Sequence, residues 1–582
     1  MNSRRLLWML LACALTLAAS VYAQDDESLY ALPEDNVPVY ASGSMALSTD
    51  GSLLITANML NDTVSLIAPR RVERLAEIPV GDDPRSVALS PDASIAAVVN
   101  RGDGTLSIID MGTQVVTATY PVGVLPYAVV MDSTTSAYVS LQGTDDIIEI
   151  DLSNGEILER ITVPSTPAGL TLWDNLLYVT HFWSGELSLI FRPQATVVRT
   201  ISTGADTSLF QSLAINPVDG RAYLPQTRSN SQSRAITFDT LMFPVVNVVD
   251  LRDLGLRQRQ RIAVNVADRP VHMPFSAAID PERGLLYIAN AGSNDLSIVD
   301  IASGLALEHI SVDANPRTVR LSRDFGLVYV HNMIDGTLTI IETREFRTEN
   351  VILVSNLQAS IDVLVGAQLF HTAEDPQLTR SPQISCAACH FDGQSDERVW
   401  QGLLDGPRNT PVLYGLADSA PYNWIGSWDE VADIELKIRS LQAGNGFINS
   451  PVNAPLGDPH AGLSVDLDTL ADYVVNLPAP SSPIHADADL IARGEAIFTE
   501  QNCASCHMGT AGTDGMAYDV GTGGTFDTPT VNWLWQSAPY FHDGRAATLQ
   551  DVFTLDGAHQ IIGTVAPVDV DALIAYLNSR PE

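Results

Sequence analysis

Seven times between about residues 35 and 350 the chain repeats one unit. A strand-forming run ends in a Tyr-Val-x-Asn-like tetrad, a turn follows, and a second strand closes on an acid. The tetrads are Ile55-Thr56-Ala57-Asn58, Ala97-Val98-Val99-Asn100, Tyr138-Val139-Ser140-Leu141, Tyr178-Val179-Thr180-His181, Tyr223-Leu224-Pro225-Gln226, Tyr287-Ile288-Ala289-Asn290 and Tyr329-Val330-His331-Asn332. Their starts fall 42, 41, 40, 45, 64 and 42 residues apart, and the long interval reads as an insertion after Tyr223, around Arg228–Pro244. The second strands include Thr105–Asp110, Asp295–Asp300 and Thr337–Glu342. A period of about 40–45 residues with several short strands per unit is the spacing of propeller blades. Turns such as Gly81-Asp82-Asp83-Pro84 bound the units. Seven blades closed in a ring leave no sheet edge exposed.

These units resemble the YVTN, or lactonase-like, propellers over residues 35–350. The resemblance implies a seven-bladed all-β propeller and says little of its task. His181 and His331 read as equivalent strand ends pointing towards the central channel, where a metal or ligand would sit; the plainer reading is a satisfied polar position in a repeat. The propeller is expected to be a docking or substrate-presenting platform.

From about residue 355 the period changes to helical spacing, beginning with Ile361–Phe370. Two copies of one plan follow, over 355–480 and 488–582, joined by the Pro- and Ser-rich stretch Leu477–Asp489. The first runs Gly366-Ala367-Gln368-Leu369-Phe370, Cys386-Ala387-Ala388-Cys389-His390, Asn409-Thr410-Pro411, then Ala420-Pro421-Tyr422-Asn423-Trp424-Ile425-Gly426. The second runs Gly494-Glu495-Ala496-Ile497-Phe498, Cys503-Ala504-Ser505-Cys506-His507, Asp527-Thr528-Pro529, then Ala538-Pro539-Tyr540-Phe541-His542-Asp543-Gly544. C-x-x-C-H is the attachment signal of a c-type haem, the cysteines forming thioethers and the histidine binding iron. Two covalently bound c-type haems are expected, each in a mainly α-helical cytochrome c domain.

What fills the sixth iron position decides the role: a second strong ligand makes an electron carrier, and an open position admits peroxide or oxygen. No methionine lies between Met333 and Met508, so the first domain has none to offer; His371 and His460 are its other histidines. An open or weakly held first haem is the expectation. The second domain offers Met516 in a glycine-rich loop and His559, fifty-two residues past His507 and the leading distal ligand, while Met508 adjoins His507 on the wrong face. His542 would sit near the haem edge, and Arg408 and Arg545 are candidates to pair with propionates.

Residues 1–23 read as a secretory signal: Arg4 and Arg5, an apolar run from Leu6 to Ala19, and Val21-Tyr22-Ala23 before the cut. This implies an exported chain, periplasmic or extracellular, with no membrane span once matured. Of five cysteines, Cys13 falls in that segment and the other four in the two motifs, which leaves none for a disulfide. The formal charge of -37 becomes -39 when the two signal arginines go. That field disfavours nucleic acid and anionic lipid and favours a basic redox partner or a saline medium.

The second half resembles the dihaem cytochrome c peroxidase and MauG family, on its paired C-x-x-C-H motifs, Pro529–Val531 and above all Ala538–Gly544 followed by Thr548-Leu549. The resemblance implies that one haem, that of His390, meets peroxide while the haem of His507 relays electrons, with tryptophan between them. Trp533 and Trp535 are the candidate relay. Where such proteins often carry His-Trp-Asp-Gly, the first copy has Asn423-Trp424-Ile425-Gly426, without the histidine and the acid; Glu430 or Glu435 would have to take over proton transfer. The expected function is therefore a peroxidase-like oxidoreductase fed by a small-molecule or protein donor. The alternative is a two-haem electron carrier with a propeller docking module.

Overall fold

The computed structural model describes residues 38–234, 241–264, 269–380, 384–403, 405–483 and 486–580. The secretory signal and Cys13 lie outside them. Seven antiparallel sheets form the first half, each built on consecutive strands, with Val39–Ala41 added to the fourth: blade 1 spans Met45–Leu47 to Glu73–Pro79 and blade 7 spans Pro316–Leu321 to Arg347–Leu353. Six of the repeated tetrads end the second strand of a blade, and Tyr223–Gln226 lies within the longer strand Arg221–Ser229. Apolar side chains facing between neighbouring blades make a separate buried cluster at each junction, such as Ile55, Val64, Val87 and Val98 between blades 1 and 2.

The tetrad's asparagine acts as a clamp. Asn58, Asn100, Asn290 and Asn332 each donate from Nδ2 to the hydroxyl seven residues on, in the third strand: Ser65 at 2.9 Å, Ser107 at 2.9 Å, Ser297 at 2.7 Å and Thr339 at 2.8 Å. His181 has the same role in blade 4, its Nε2 lying 2.8 Å from Ser188 Oγ. His331 is one residue out of register with it. Consecutive strand residues face opposite ways, and His331 instead meets Ser44 Oγ at 2.8 Å, across the seam between blades 7 and 1. The two histidines are thus neither equivalent nor a channel site. Each is a buried, partnered group, held below the usual imidazole range by burial, to about 4 and about 3.

Blade 5 carries the extra length, and part of it lies where the spacing put it, between Gln226 and Val245, which pair across the sheet. Its middle strands are stretched to nine residues each, Arg221–Ser229 and Met242–Asp250, so Arg228 and Pro244 pair within the sheet. More residues fall after Asp250, where the chain makes two short strands and a turn before blade 6 begins at Pro274.

The channel is closed at both ends. At one, Val39–Ala41 pairs with Thr171–Trp173 of the innermost strand of blade 4, and Arg320 Nη2 donates to the Ala41 and Ser42 carbonyls from blade 7. At the other sits the segment following the first C-x-x-C-H. Phe391 is 1 % exposed, with Phe182 and Phe275 of the propeller at ring distances of 4.8 and 5.3 Å. Trp183 Nε1 donates to Gln394 Oε1, Ala373 N to the Gly292 carbonyl and Arg398 Nη2 to the Thr207 carbonyl. The propeller is therefore packed on the first C-x-x-C-H domain along its axis.

The second half is a pair of similar units of mixed character, not purely helical. In each, two helices cross: Ile361–His371 on Val465–Val475, and Ala488–Glu500 on Pro567–Asn578. Glycine permits the close approach, since a Cβ on Gly366 would stand 2.5 Å from Tyr473 Cβ and one on Gly494 2.6 Å from Tyr576 Cβ. Ser360 and Ser464 cap the first pair. Each unit also has a two-stranded ribbon, Val399–Trp400 with Arg408–Asn409 and Ala517–Tyr518 with Phe526–Asp527.

Candidate haem sites and the interface between them

Each motif folds alike. Cys386–Ala388 and Cys503–Ser505 make one tight helical turn, and the histidine amide donates to the first cysteine's carbonyl, 3.0 Å in both cases. The four thiols are free. His507 Nδ1 lies 3.1 Å from the carbonyls of Gly512 and Pro529, which leaves Nε2 free to bind iron. The repeated Thr-Pro proline thus orients the proximal ring. Pro411 has that place beside His390, where its carbonyl opposes the effect of burial, which draws His390 down to about 4.

Across from His507 stands His559, with ring centres 6.3 Å apart. A metal-bound imidazole nitrogen lies about 2.0–2.1 Å from its metal, so two rings on opposite faces of one iron have centres roughly 6 Å apart. Burial and the neighbouring His507 hold His559 down to about 4, hence neutral as a ligand must be. Phe541, Arg545, Leu555 and Val520 line a cavity with it. Met516 is 59 % exposed, which disfavours it as the rival ligand. These residues fit a haem held between two histidines.

The first copy differs there. From the Thr-Pro proline to the Ala-Pro-Tyr loop the two copies keep an offset of 118 residues, as Pro411 to Pro529 and Ala420 to Ala538 show, but the closing helices stand 103 apart, Tyr473 against Tyr576. His559 falls between these two registers, so counting assigns it no counterpart; the first copy has Gln442 beside its motif. Gln442 Nε2 lies 3.8 Å from Cys386 Sγ, and its Oε1 is buried without a partner among the described residues. His460 is no reserve ligand: its ring nitrogens meet Asp433 Oδ1 at 2.6 Å and the Asn453 carbonyl at 3.2 Å. His371 packs against Phe370, Phe391 and Tyr473, with Nδ1 on the Ala367 carbonyl.

The two units meet by reciprocal contacts, as a local twofold requires. Asn409 N donates to the His542 carbonyl at 2.6 Å, and its counterpart Asp527 N donates to the Trp424 carbonyl at 3.0 Å. Trp424 and His542 are themselves counterparts, with ring centres 6.3 Å apart. His542 also stacks on Phe526 at 3.8 Å. The residue missed by sequence reasoning is Trp424. Aligning the two copies pairs it with His542. Trp533, by contrast, touches the first unit through Tyr414, ring to ring at 5.8 Å, and its indole donates to the Pro480 carbonyl. Trp535 lines a cleft of about 580 Å³ between Gly143–Asp145 of the propeller and the second unit.

The proposed proton-transfer acids are both engaged. Glu435 is fully buried and accepts from Arg439 at 2.7 Å, Phe447 N at 2.9 Å and Ile448 N at 3.2 Å, so its oxygens stitch a loop to the helix Ile434–Ser440. Glu430 accepts from the amides of His460 and Ala461. With Asp433 and His460 it forms a group whose ligand atoms lie within 4.8 Å, but these groups already satisfy one another. Arg545 is tied to Asp543 at 2.6 Å and donates to the Thr522 carbonyl at 2.7 Å. Arg408 is mostly buried over the Phe526 ring, with Nε lying 3.3 Å from Asp405.

Comparison with known proteins finds redox relatives. The Cytochrome c family model matches residues 491–581. A third of the chain, 243 residues, is 29% identical to the methylamine utilization protein MauG of Methylorubrum extorquens, covering 67% of that protein. Over 272 residues, 37% of the chain, it is 26% identical to the cytochrome c551 peroxidase of Pseudomonas aeruginosa, covering 77% of it. Hydrazine synthase subunit gamma of Kuenenia stuttgartiensis is 26% identical over 229 residues, 29% of this chain and 62% of that one. A solved chain of Kuenenia stuttgartiensis hydrazine synthase superposes on 56% of this chain and 99% of itself at 16% identity and a TM-score of 0.46. The chain joins a seven-bladed propeller to a C-terminal region that carries a cytochrome c domain and has redox proteins among its relatives.

Proposed function

We propose that this is an exported dihaem oxidoreductase whose two haems are unequal. The second haem, on Cys503, Cys506 and His507, takes His559 as its sixth ligand and relays electrons. The first, on Cys386, Cys389 and His390, keeps an open face for peroxide or oxygen. A haem supplies one-electron exchange and, where a face is open, a place for an oxidant. The chain's own groups do the rest. Pro529 and Gly512 orient His507, Gln442 offers an amide beside the Cys386 thioether, and Trp424 with His542 bridges the interface between units. Arg545, in the cavity of His559, is placed to meet a propionate. The donor is a small molecule or a basic protein drawn by the chain's negative field.

The observation that carries this reading is the His507–His559 pair, 6.3 Å between ring centres. Spectra of the purified protein test it: one low-spin and one high-spin haem are expected, with peroxide consumed when a reduced donor is present. Two low-spin haems indifferent to peroxide in every redox state would overturn it. A second reading, electron carriage without peroxide chemistry, is favoured by the engagement of both Glu430 and Glu435 in the fold. The same turnover assay separates the two.

A further inference from the structure

One register position recurs at the channel mouth: the residue after the proline that opens the innermost strand of a blade. It is Arg85 in blade 2, Tyr127 in blade 3, Ala168 in blade 4, Phe275 in blade 6 and Arg317 in blade 7. These side chains surround Phe391 and Asp392, the two residues that follow His390. Arg85 Nη1 is 3.2 Å from Asp392 Oδ2 and its Nε is 2.7 Å from Asp83 Oδ1. Arg101 adds longer contacts to both, 4.0 Å to Asp392 and 3.5 Å to Asp83. Arg317 lies over the Phe391 ring, its guanidinium carbon 4.6 Å from the centroid, and 5.2 Å from that of Phe275. Arg85, Arg101 and Arg317 are 9 %, 4 % and 2 % exposed.

Arg85 and Arg101 reach Asp83 and Asp392, whereas Arg317 meets, among the described residues, the Asn315 side chain and the two rings, with no carboxylate at ion-pair distance. Burying a charge without a counter-ion is costly, and Arg85 with Asp392 already holds the domains together. A fixed charge in a poorly polarisable interior acts over long distances. One-electron reduction of a haem iron lowers its charge by one, and a nearby cation favours that state.

We propose that the propeller, through Arg317, raises the reduction potential of the first haem relative to the second. The propeller is then a redox-tuning partner of the haem on His390. The inference rests on that haem being attached at Cys386 and Cys389, which intact mass decides independently: loss of one haem's mass would end the functional reading, whatever the potentials. With two haems present, a spectroelectrochemical titration of the full chain is the test. Arg317→Met should lower the midpoint of the first haem alone, so that its reduced-to-oxidised ratio at a fixed poise falls by about tenfold. Arg317→Lys, which keeps the charge, should stay near the wild type. Equal shifts in Met and Lys variants, or none in either, would overturn the proposal. If Arg317→Met does not fold, Asp392→Asn gives the opposite sign: the first midpoint must rise, and a fall or no change is fatal.

Discussion

The two C-x-x-C-H motifs are alike in sequence and backbone and opposite in setting. Ala387 and Ala388 of the first are 0 % and 2 % exposed, while Ala504 and Ser505 of the second lie at the surface. The residue after the histidine is Phe391 in one, sealed into the propeller's mouth, and Met508 in the other, 48 % exposed. Asp396 and Asp514 have the same neighbours in each copy, a backbone amide two residues on and a threonine, yet burial pushes Asp396 up to about 6. Asp514 also feels burial, but the Tyr518 hydroxyl and Met516 amide outweigh it and hold the group below the usual range. A duplicated module has been differentiated less by its motif than by what was packed against one copy.

The comparison can be broken most sharply at the distal positions. His559→Leu should convert the second haem wholly from low to high spin and leave the first unchanged. Absorption and paramagnetic resonance spectra read both, and an unchanged second haem in His559→Leu would remove the ligand assignment.

Next in size is the buried ring. Phe391→Ala should cost about 3–5 kcal/mol of stability by leaving a cavity among Phe182, Phe275 and Arg317. Met508→Ala at the matching place should stay within about 0.5 kcal/mol. Calorimetric unfolding of both variants would show whether the propeller and the first haem domain melt together in the wild type and separately without Phe391.

The smallest effect is in pH. Asp396 binds its proton more tightly folded than unfolded, so its contribution is most favourable below about pH 4 and is lost as pH rises towards about 6. The loss is about 2–3 kcal/mol at most. Asp396→Asn should flatten stability between those values. Asp514→Asn should instead remove stability that the wild type holds above pH 4, because its shift has the opposite sign. Denaturant titrations at pH 4, 5 and 6.5 check both.

Much of this was legible beforehand because it is written locally. Repeat spacing gave seven blades, since each blade needs its own hairpins and its own asparagine clamp. Helical period and the Gly-x-x-x-Phe phrase marked the helix pairs, because a crossing helix tolerates only glycine at Gly366 and Gly494. Other readings failed where the answer depends on another part of the chain. Glu435 looked available as an acid, but three donors from Arg439, Phe447 and Ile448 occupy it. His181 and His331 looked alike, but a one-residue shift in register turns them to different neighbours. The ribbons that make the haem units mixed rather than helical are two residues per strand, too short to show as alternation.

The sequence by itself determined the propeller, the duplication and both C-x-x-C-H motifs, because repeat period, helix crossing and attachment chemistry depend on residues close together in the chain. Only the tertiary structure decided that Phe391 and Asp392 enter the propeller's mouth, that Trp424 meets His542 across a local twofold, and that Arg317 meets no carboxylate among the described residues. Those contacts join positions tens to hundreds of residues apart. Burial and charge balance belong to the assembled surface, and no single stretch of the chain carries them.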